Sequence, residues 1–99
     1  MKIKLSQMIQ LEDFRKGSIS INKTFDSNIL PRIGDRILDS VWKYDDQEIF
    51  VETVEINYQD NECYIGLTKI TLNTLEKHSL KDYKDMTALH GWECASPIW

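Results

Sequence analysis

The sequence predicts a mainly β protein, either a small five-stranded barrel or a strongly bent antiparallel sheet, with a short C-terminal helical segment. Three observations lead to this fold class. Apolar and polar residues alternate with period two in several short stretches, turn-forming residues separate those stretches, and the alternation stops after residue 72. The chain has 99 residues, of which 41 % are hydrophobic. That suffices for a single small globular domain spanning residues 1–99.

The first predicted strand covers residues 2–12. Its apolar positions alternate with polar ones, and Gln7 interrupts the apolar series. A helix is the competing interpretation, because Ser6 could cap its start and Gly17 could end it. The alternation favours the strand, whose inward residues are Ile3, Leu5, Ile9 and Leu11.

The second predicted strand, 18–25, alternates cleanly and should form a hairpin with the first, with Gly17 supplying a positive φ in the connection. Residues 26–32 are predicted to be a loop, because Pro31 lacks an N–H and restricts the residue before it. Gly34 and Asp35 indicate a turn. A third strand is expected over 37–44.

The best-defined predicted strand covers 48–58 and follows a turn at Asp45 and Asp46. Its apolar residues change parity midway, which requires an extra residue, so a β-bulge is predicted near Glu52 and Thr53. Residues 59–62 suit a hairpin turn. The return strand, 63–70, should pair with 48–58 to form the stable core of the sheet. The predicted inward residues of this hairpin are Ile49, Val51, Val54, Ile56, Cys63, Ile65 and Leu67.

Helical signals follow residue 72. Asn73 or Thr74 could cap a helical turn, and Ser79 with Asp82 resembles a capping box. The apolar spacing predicts one irregular helix or two short ones, and Gly91 suits a helix stop. Residues 92–99 are expected to form a short final strand or a packed tail.

Charge is unevenly distributed along the chain. Residues 44–68 contain seven acidic residues and neither lysine nor arginine. In the predicted hairpin, acidic and aromatic side chains share the outward face, which suits contact with a basic protein surface. The alternative is a solvated acidic face that keeps a small protein soluble. The candidate partner-binding residues are Glu48, Phe50, Glu52, Glu55 and Tyr64.

The chain holds two cysteines and two histidines, which are ligand types of a tetrahedral zinc site. Structural zinc sites usually take their ligands as two close pairs, and only one such pair occurs here, so neither a metal nor another cofactor is expected. The folded circular dichroism spectrum should therefore survive excess EDTA, which unfolds zinc-dependent domains. The alternative ligand set is Cys63, His78, His90 and Cys94.

No catalytic constellation is evident in the sequence. The four glycines are scattered, which argues against a phosphate-binding loop. Cys63 is predicted to point into the core, where a thiol is inert, and Cys94 has His90 nearby in the sequence but no glycine-rich turn to present its sulfur. The 16 acidic residues exceed the 12 basic ones, which argues against direct nucleic-acid binding. No apolar run reaches the roughly 18 residues of a membrane span, and no secretory signal begins the chain. A cytoplasmic location is therefore expected.

These observations favour a non-catalytic protein-interaction module, such as a small inhibitor or adaptor of the phage or mobile-element type. It would dock its acidic hairpin on a basic surface of a protein partner. The alternative hypothesis is a small-ligand-binding β-barrel, or a minor enzyme, with an aromatic-lined barrel mouth. Its candidate ligand-binding residues are Trp42, Tyr44 and Trp92.

Overall fold

The computed structural model describes residues 1–42 and 48–94. Its strands are β1 (Lys2–Gln10), β2 (Ser18–Asp26), β3 (Val51–Asn57), β4 (Glu62–Leu67), β5 (Ile70–Thr71) and β6 (Glu93–Cys94), and its helix is α1 (Lys77–Ala88). They form one sheet in the order β3-β4-β1-β2-β6, with β5 beside β1. The mainly β fold with a C-terminal helix is confirmed, and the sheet is open rather than closed into a barrel. Among the described residues, no helix combines the length and apolar character that crossing a membrane would need.

The predicted hairpin of β1 and β2 is confirmed, and its strands pair antiparallel along their full length. Every second side chain of β1 is buried, as the alternation requires. The connection contains a short 3₁₀ turn, Phe14–Lys16, and the Asp13 side chain caps it by accepting the Arg15 N–H. Gly17 has a positive φ of 159°, as predicted, and a Cβ there would also lie only 3.1 Å from Leu80 Cδ1. The buried core comprises Ile3, Leu5, Ile9, Leu11, Ile19, Ile21, Val41, Ile49, Val51, Cys63, Ile65, Leu67, Ile70, Leu80 and Trp92.

Parallel strand pairs lie at the centre of the sheet, so the prediction of a purely antiparallel sheet is wrong there. β1 runs parallel to β4 over its first half and parallel to β5 near its end. Gln7 lies where the neighbouring chain passes from β4 to β5 at residues 68–69. Its buried side chain donates through Nε2 to the Thr68 carbonyl oxygen at 2.8 Å. Gln7, the polar residue that interrupts the apolar series of β1, therefore bonds to the chain between β4 and β5, the two strands that run parallel to β1.

The β3–β4 hairpin has the predicted bulge, because the pairing register shifts between Val51 and Thr53. The turn is also as expected, with Asn61 in the left-handed region at φ 55°. Ile56 lies on the core face opposite fully buried Cys63, as predicted, but it is not buried. Its side chain is 39 % exposed, because β3 is the outermost strand of the sheet.

The strand predicted over 37–44 is wrong within the described residues. An isolated bridge joins Arg36 to Phe50, and the chain then enters a 3₁₀ turn at Ser40–Trp42. The Asp39 side chain accepts the Val41 N–H at 3.1 Å, and a local bond of this type competes with an extended ladder. Tyr44 and the predicted turn at Asp45 and Asp46 lie outside the described residues.

A single helix occupies the C-terminal part of the described chain. The predicted capping box is wrong: the helix begins after Glu76, and Ser79 lies inside its first turn. The stop at Gly91 is confirmed, because Gly91 has φ 88° and the two hydrogen bonds of a Schellman motif close the end. They join Trp92 N to the Thr87 oxygen at 3.2 Å and Gly91 N to the Ala88 oxygen at 3.3 Å. The chain then enters β6, a short final strand.

Candidate functional site

The sheet has a solvent-exposed open face, opposite the core, on which polar side chains of four strands lie in cross-strand rows. In one row Glu55 of β3 lies opposite Tyr64 of β4, and Tyr64 lies opposite Lys4 of β1. In the neighbouring row Glu62 of β4 lies opposite Lys2 of β1. Acidic residues therefore occupy the β3 side of the open face, and lysines occupy its middle.

Tyr64 separates two shallow depressions on the open face, of about 240 and 230 Å³. Its hydroxyl donates to Glu62 Oε2 at 2.5 Å. This bond to a carboxylate raises the pKa of Tyr64 by holding the phenol in its protonated form. The first depression also contains Ser6 and Asn22, which are joined by a hydrogen bond of 2.8 Å. Both depressions have polar walls, so they suit hydrogen-bonding groups of a partner.

Gly66 forms part of the first depression, beneath Thr53 at the bulge of β3. Gly66→Ala is expected to destabilise the protein by about 1–3 kcal/mol, because the added methyl group would overlap the Thr53 hydroxyl. Adding Thr53→Ala should recover most of this loss, since it removes the overlapping atom. Urea denaturation of both single variants and the double variant measures the coupling. Strictly additive losses would contradict this account of the glycine.

The structure exposes most of the predicted partner-binding residues. Glu48, Glu52 and Glu55 are exposed, and Tyr64 shares the row of Glu55, whereas Phe50 is half-buried. They do not form an uninterrupted acidic patch, because β1 brings lysines beside β4 and Arg36 bridges to Phe50. The acidic surface is therefore narrower than the sequence indicates and is concentrated along β3.

The predicted aromatic barrel mouth does not form, since the sheet is open. Trp92 is buried, at 2 % exposure, and belongs to the core. The side chain of Trp42 and all of Tyr44 lie outside the described residues. Trp92 therefore has no free ring face of the kind that stacks on a ligand.

A largely buried polar cluster, which no pattern in the sequence predicted, consists of Lys23, Asp39 and Trp92. Lys23 Nζ donates to Asp39 Oδ2 at 2.7 Å and to the His90 carbonyl oxygen at 3.1 Å. The same ammonium group lies 5.8 Å from the centre of the Trp92 ring. Trp92 Nε1 and the Val41 N–H donate to Asp39 Oδ1 at 3.4 and 3.1 Å. The cluster joins β2, the turn after Asp39 and the entry to β6.

Two opposing effects act on the Asp39 carboxyl group. Burial raises its pKa, but the hydrogen bonds from Lys23, Val41 and Trp92 and the Lys23 charge outweigh burial. The pKa of Asp39 is therefore lower than usual, and the carboxylate is held in its charged form at neutral pH. Because Asp39 accepts hydrogen bonds from three groups of the chain, its role is to stabilise the fold. No local motif in the sequence predicts this role.

Ser40 and His90 form a hydroxyl–imidazole pair next to this cluster, with 2.7 Å between Ser40 Oγ and His90 Nδ1. Such a pair activates a nucleophile when a third group orients the imidazole from behind. Asp39 instead lies on the hydroxyl side of the pair, where Ser40 Oγ donates to Asp39 Oδ1 at 3.5 Å. The pair therefore connects the 3₁₀ turn to the end of α1 without the alignment of a catalytic triad.

The alternative zinc ligands are not brought together. Cys63 is on β4 and Cys94 is on β6, with β1 and β2 between these strands. Burial raises the pKa of the Cys63 thiol, which makes it less reactive. His78 lies at the start of α1, 3.2 Å from the Glu76 carboxylate. Within 1–42 and 48–94, no three ligating side chains are grouped around a common point.

Comparison with protein-family models, with curated proteins and with solved structures gave no match to this chain. The candidate site is therefore defined by its geometry alone. It consists of the exposed side of the β3–β4 hairpin, which carries the acidic side chains and Tyr64.

Proposed function

We propose that the chain is a non-catalytic protein-interaction module, an inhibitor or adaptor, that docks the exposed side of its β3–β4 hairpin on a basic surface of a partner protein. One observation carries this proposal. Glu52 and Glu55 are exposed on the outermost strand, and exposed Tyr64 lies directly across from Glu55 on a paired strand.

The chemistry of these side chains favours recognition of cations. The backbone that carries these glutamates is held by the ladder of hydrogen bonds, so their carboxylates stay on the same strand of the sheet and their negative field adds up there. Tyr64 adds a rigid amphipathic ring, a type enriched in protein interfaces. Its hydroxyl is already fixed by Glu62, so less side-chain entropy is lost when a partner covers it.

The lysines of β1 limit the expected area of contact. Lys2 and Lys4 are exposed in the middle of the open face and would repel a basic surface placed over them. The partner is therefore expected to cover β3 and the β3–β4 turn, where Asp60 is also exposed. Its basic residues would then lie along the edge of the sheet and not over its centre.

Charge reversal on β3 tests this proposal. A partner captured from a lysate of the source organism at low salt would be purified and its binding kinetics measured against variants of the chain. Glu52→Lys combined with Glu55→Lys is expected to slow association about tenfold or more and to flatten its salt dependence. Tyr64→Ala is expected to act mainly on the dissociation rate.

A matched control reverses the same amount of charge away from the hairpin. Asp82→Lys combined with Asp85→Lys changes two exposed carboxylates on α1 and should leave the association rate nearly unchanged. Equal effects of the two double variants would mean that only net charge matters. Unchanged affinity with a higher melting temperature for the β3 variant would mean that the acidic surface serves solubility, and either result would overturn the proposal.

A further inference from the structure

The outer edge of β3 is partly covered by the chain itself. Gly34 N donates to the Val51 oxygen at 2.9 Å, and Val51 N donates to the Asp35 oxygen at 2.8 Å. From Thr53 to Asn57, β3 pairs with β4 on one side, and no described residue pairs with its other side. Backbone N–H and C=O groups of an edge strand that lack a partner among the described residues are a template for an added strand.

The side chains beside this free edge differ between the two faces of the sheet. Glu52 and Glu55 are exposed on the open face. On the core face Ile56 is 39 % exposed and Val54 is half-buried. An added strand would therefore meet carboxylates on one face and aliphatic groups on the other.

We propose that an extended basic segment of the partner adds to the sheet as a strand along Thr53–Asn57, with alternate basic and apolar side chains. This inference rests on the proposed function and specifies how the hairpin recognises its partner. Main-chain hydrogen bonds supply affinity in strand addition, and alternate side chains supply specificity. The basic side chains of the added strand face Glu52 and Glu55, and its apolar side chains cover Ile56.

The chain itself already pairs with this side of the sheet just upstream. Residues 34–37 lie beside residues 49–51 as an added segment, and Arg36 bridges Phe50, which lies between Glu48 and Glu52 in the sequence. An extended segment that carries an arginine is thus accommodated next to this edge within the molecule. A second copy of the chain suits the edge less well, because antiparallel pairing centred on Glu55 would place like charges opposite each other.

The probe is a blocked nine-residue peptide in which lysine and valine alternate, titrated into the full ¹⁵N-labelled chain at low salt. We expect amide shift changes and slower hydrogen exchange confined to β3, between Thr53 and Asn57. The control peptide carries N-methyl groups on alternate residues along the pairing edge, which removes donors and keeps the charge. It should bind at least about tenfold more weakly, because several main-chain bonds are lost.

The outcomes separate this inference from the proposed function. Equal binding of both peptides, protection elsewhere on the sheet, or no binding would each overturn strand addition by a basic segment. Dimerisation of the free chain through β3 would overturn it as well, because a second copy would then occupy the edge. Peptide binding can be weakened by Glu52→Lys combined with Glu55→Lys in the chain and yet be unaffected by N-methylation of the peptide. In that case the acidic docking surface is supported and strand addition is not. If neither change affects binding, both proposals fail.

Discussion

Ile65→Ala is expected to lower the free energy of unfolding by about 2–5 kcal/mol, whereas Ile56→Ala should cost about half as much. Ile65 is 1 % exposed and lies between Val54 of β3 and Leu5 of β1, so its truncation leaves a cavity in the middle of the sheet. Ile56 is 39 % exposed on the outermost strand, where solvent fills the space that truncation creates.

Both variants replace isoleucine with alanine in the same hairpin. The difference between their losses of unfolding free energy therefore depends only on where each side chain lies in the sheet. Urea denaturation of the wild type and both variants gives the two differences, and unchanged m-values would show that each variant unfolds from the same folded state. A loss for Ile56→Ala as large as that for Ile65→Ala would show that β3 is covered, and would contradict both its place at the edge and strand addition there.

Asp39→Asn is expected to cost about 1.5–3 kcal/mol at pH 7, because it removes a charged acceptor from Lys23, Trp92 and the Val41 N–H. The Lys23 ammonium group, on a side chain that is 27 % exposed, would lose its counter-charge. Asp26→Asn is the control, since Asp26 is exposed at the end of β2, and its replacement should change stability by less than about 0.5 kcal/mol.

The pH dependence of this difference has a definite sign. The pKa of Asp39 is lower in the folded protein than usual, so its contribution is fully present above the ordinary carboxyl pKa of about 4. That contribution is lost as the pH falls through the lowered pKa of the folded state. The gap between wild type and Asp39→Asn should therefore be widest near neutral pH and should narrow in acid. A gap that is constant from pH 7 to about 3 would assign the loss to packing instead of charge.

Local patterns in the sequence predicted several elements correctly because each is determined by neighbouring residues. The alternation around Ile9 requires a strand with one buried face, and the parity change before Val54 requires a bulge. Asn61 and Gly91 occupy positive-φ positions that their residue types tolerate. The same local logic failed at residues 37–42, the described part of the predicted third strand, where the Asp39 side chain accepts the Val41 N–H and the chain forms a 3₁₀ turn.

Only part of the candidate site followed from the sequence. The exposure of Glu52 and Glu55 was predictable from hairpin parity, because both lie on the face opposite the buried residues. The neighbourhood of Tyr64 was not predictable, since Lys4 reaches it through a pairing that spans 60 residues. The alternation correctly indicated that Ile56 faces the core. It could not indicate that β3 lies at the edge of the sheet, where a core-facing side chain stays partly exposed.

The sequence by itself determined the faces of the strands, the bulge, the β3–β4 turn and the helix stop, because these depend on the spacing of neighbouring residues and on intrinsic φ preferences. Only the tertiary structure decided which strands became neighbours. The parallel pairing of β1 with β4 and β5 depends on which strands bury their apolar faces best together, and no local pattern encodes that competition. This pairing brings Lys2 and Lys4 beside the acidic hairpin, gives Gln7 its partner and leaves β3 at the edge.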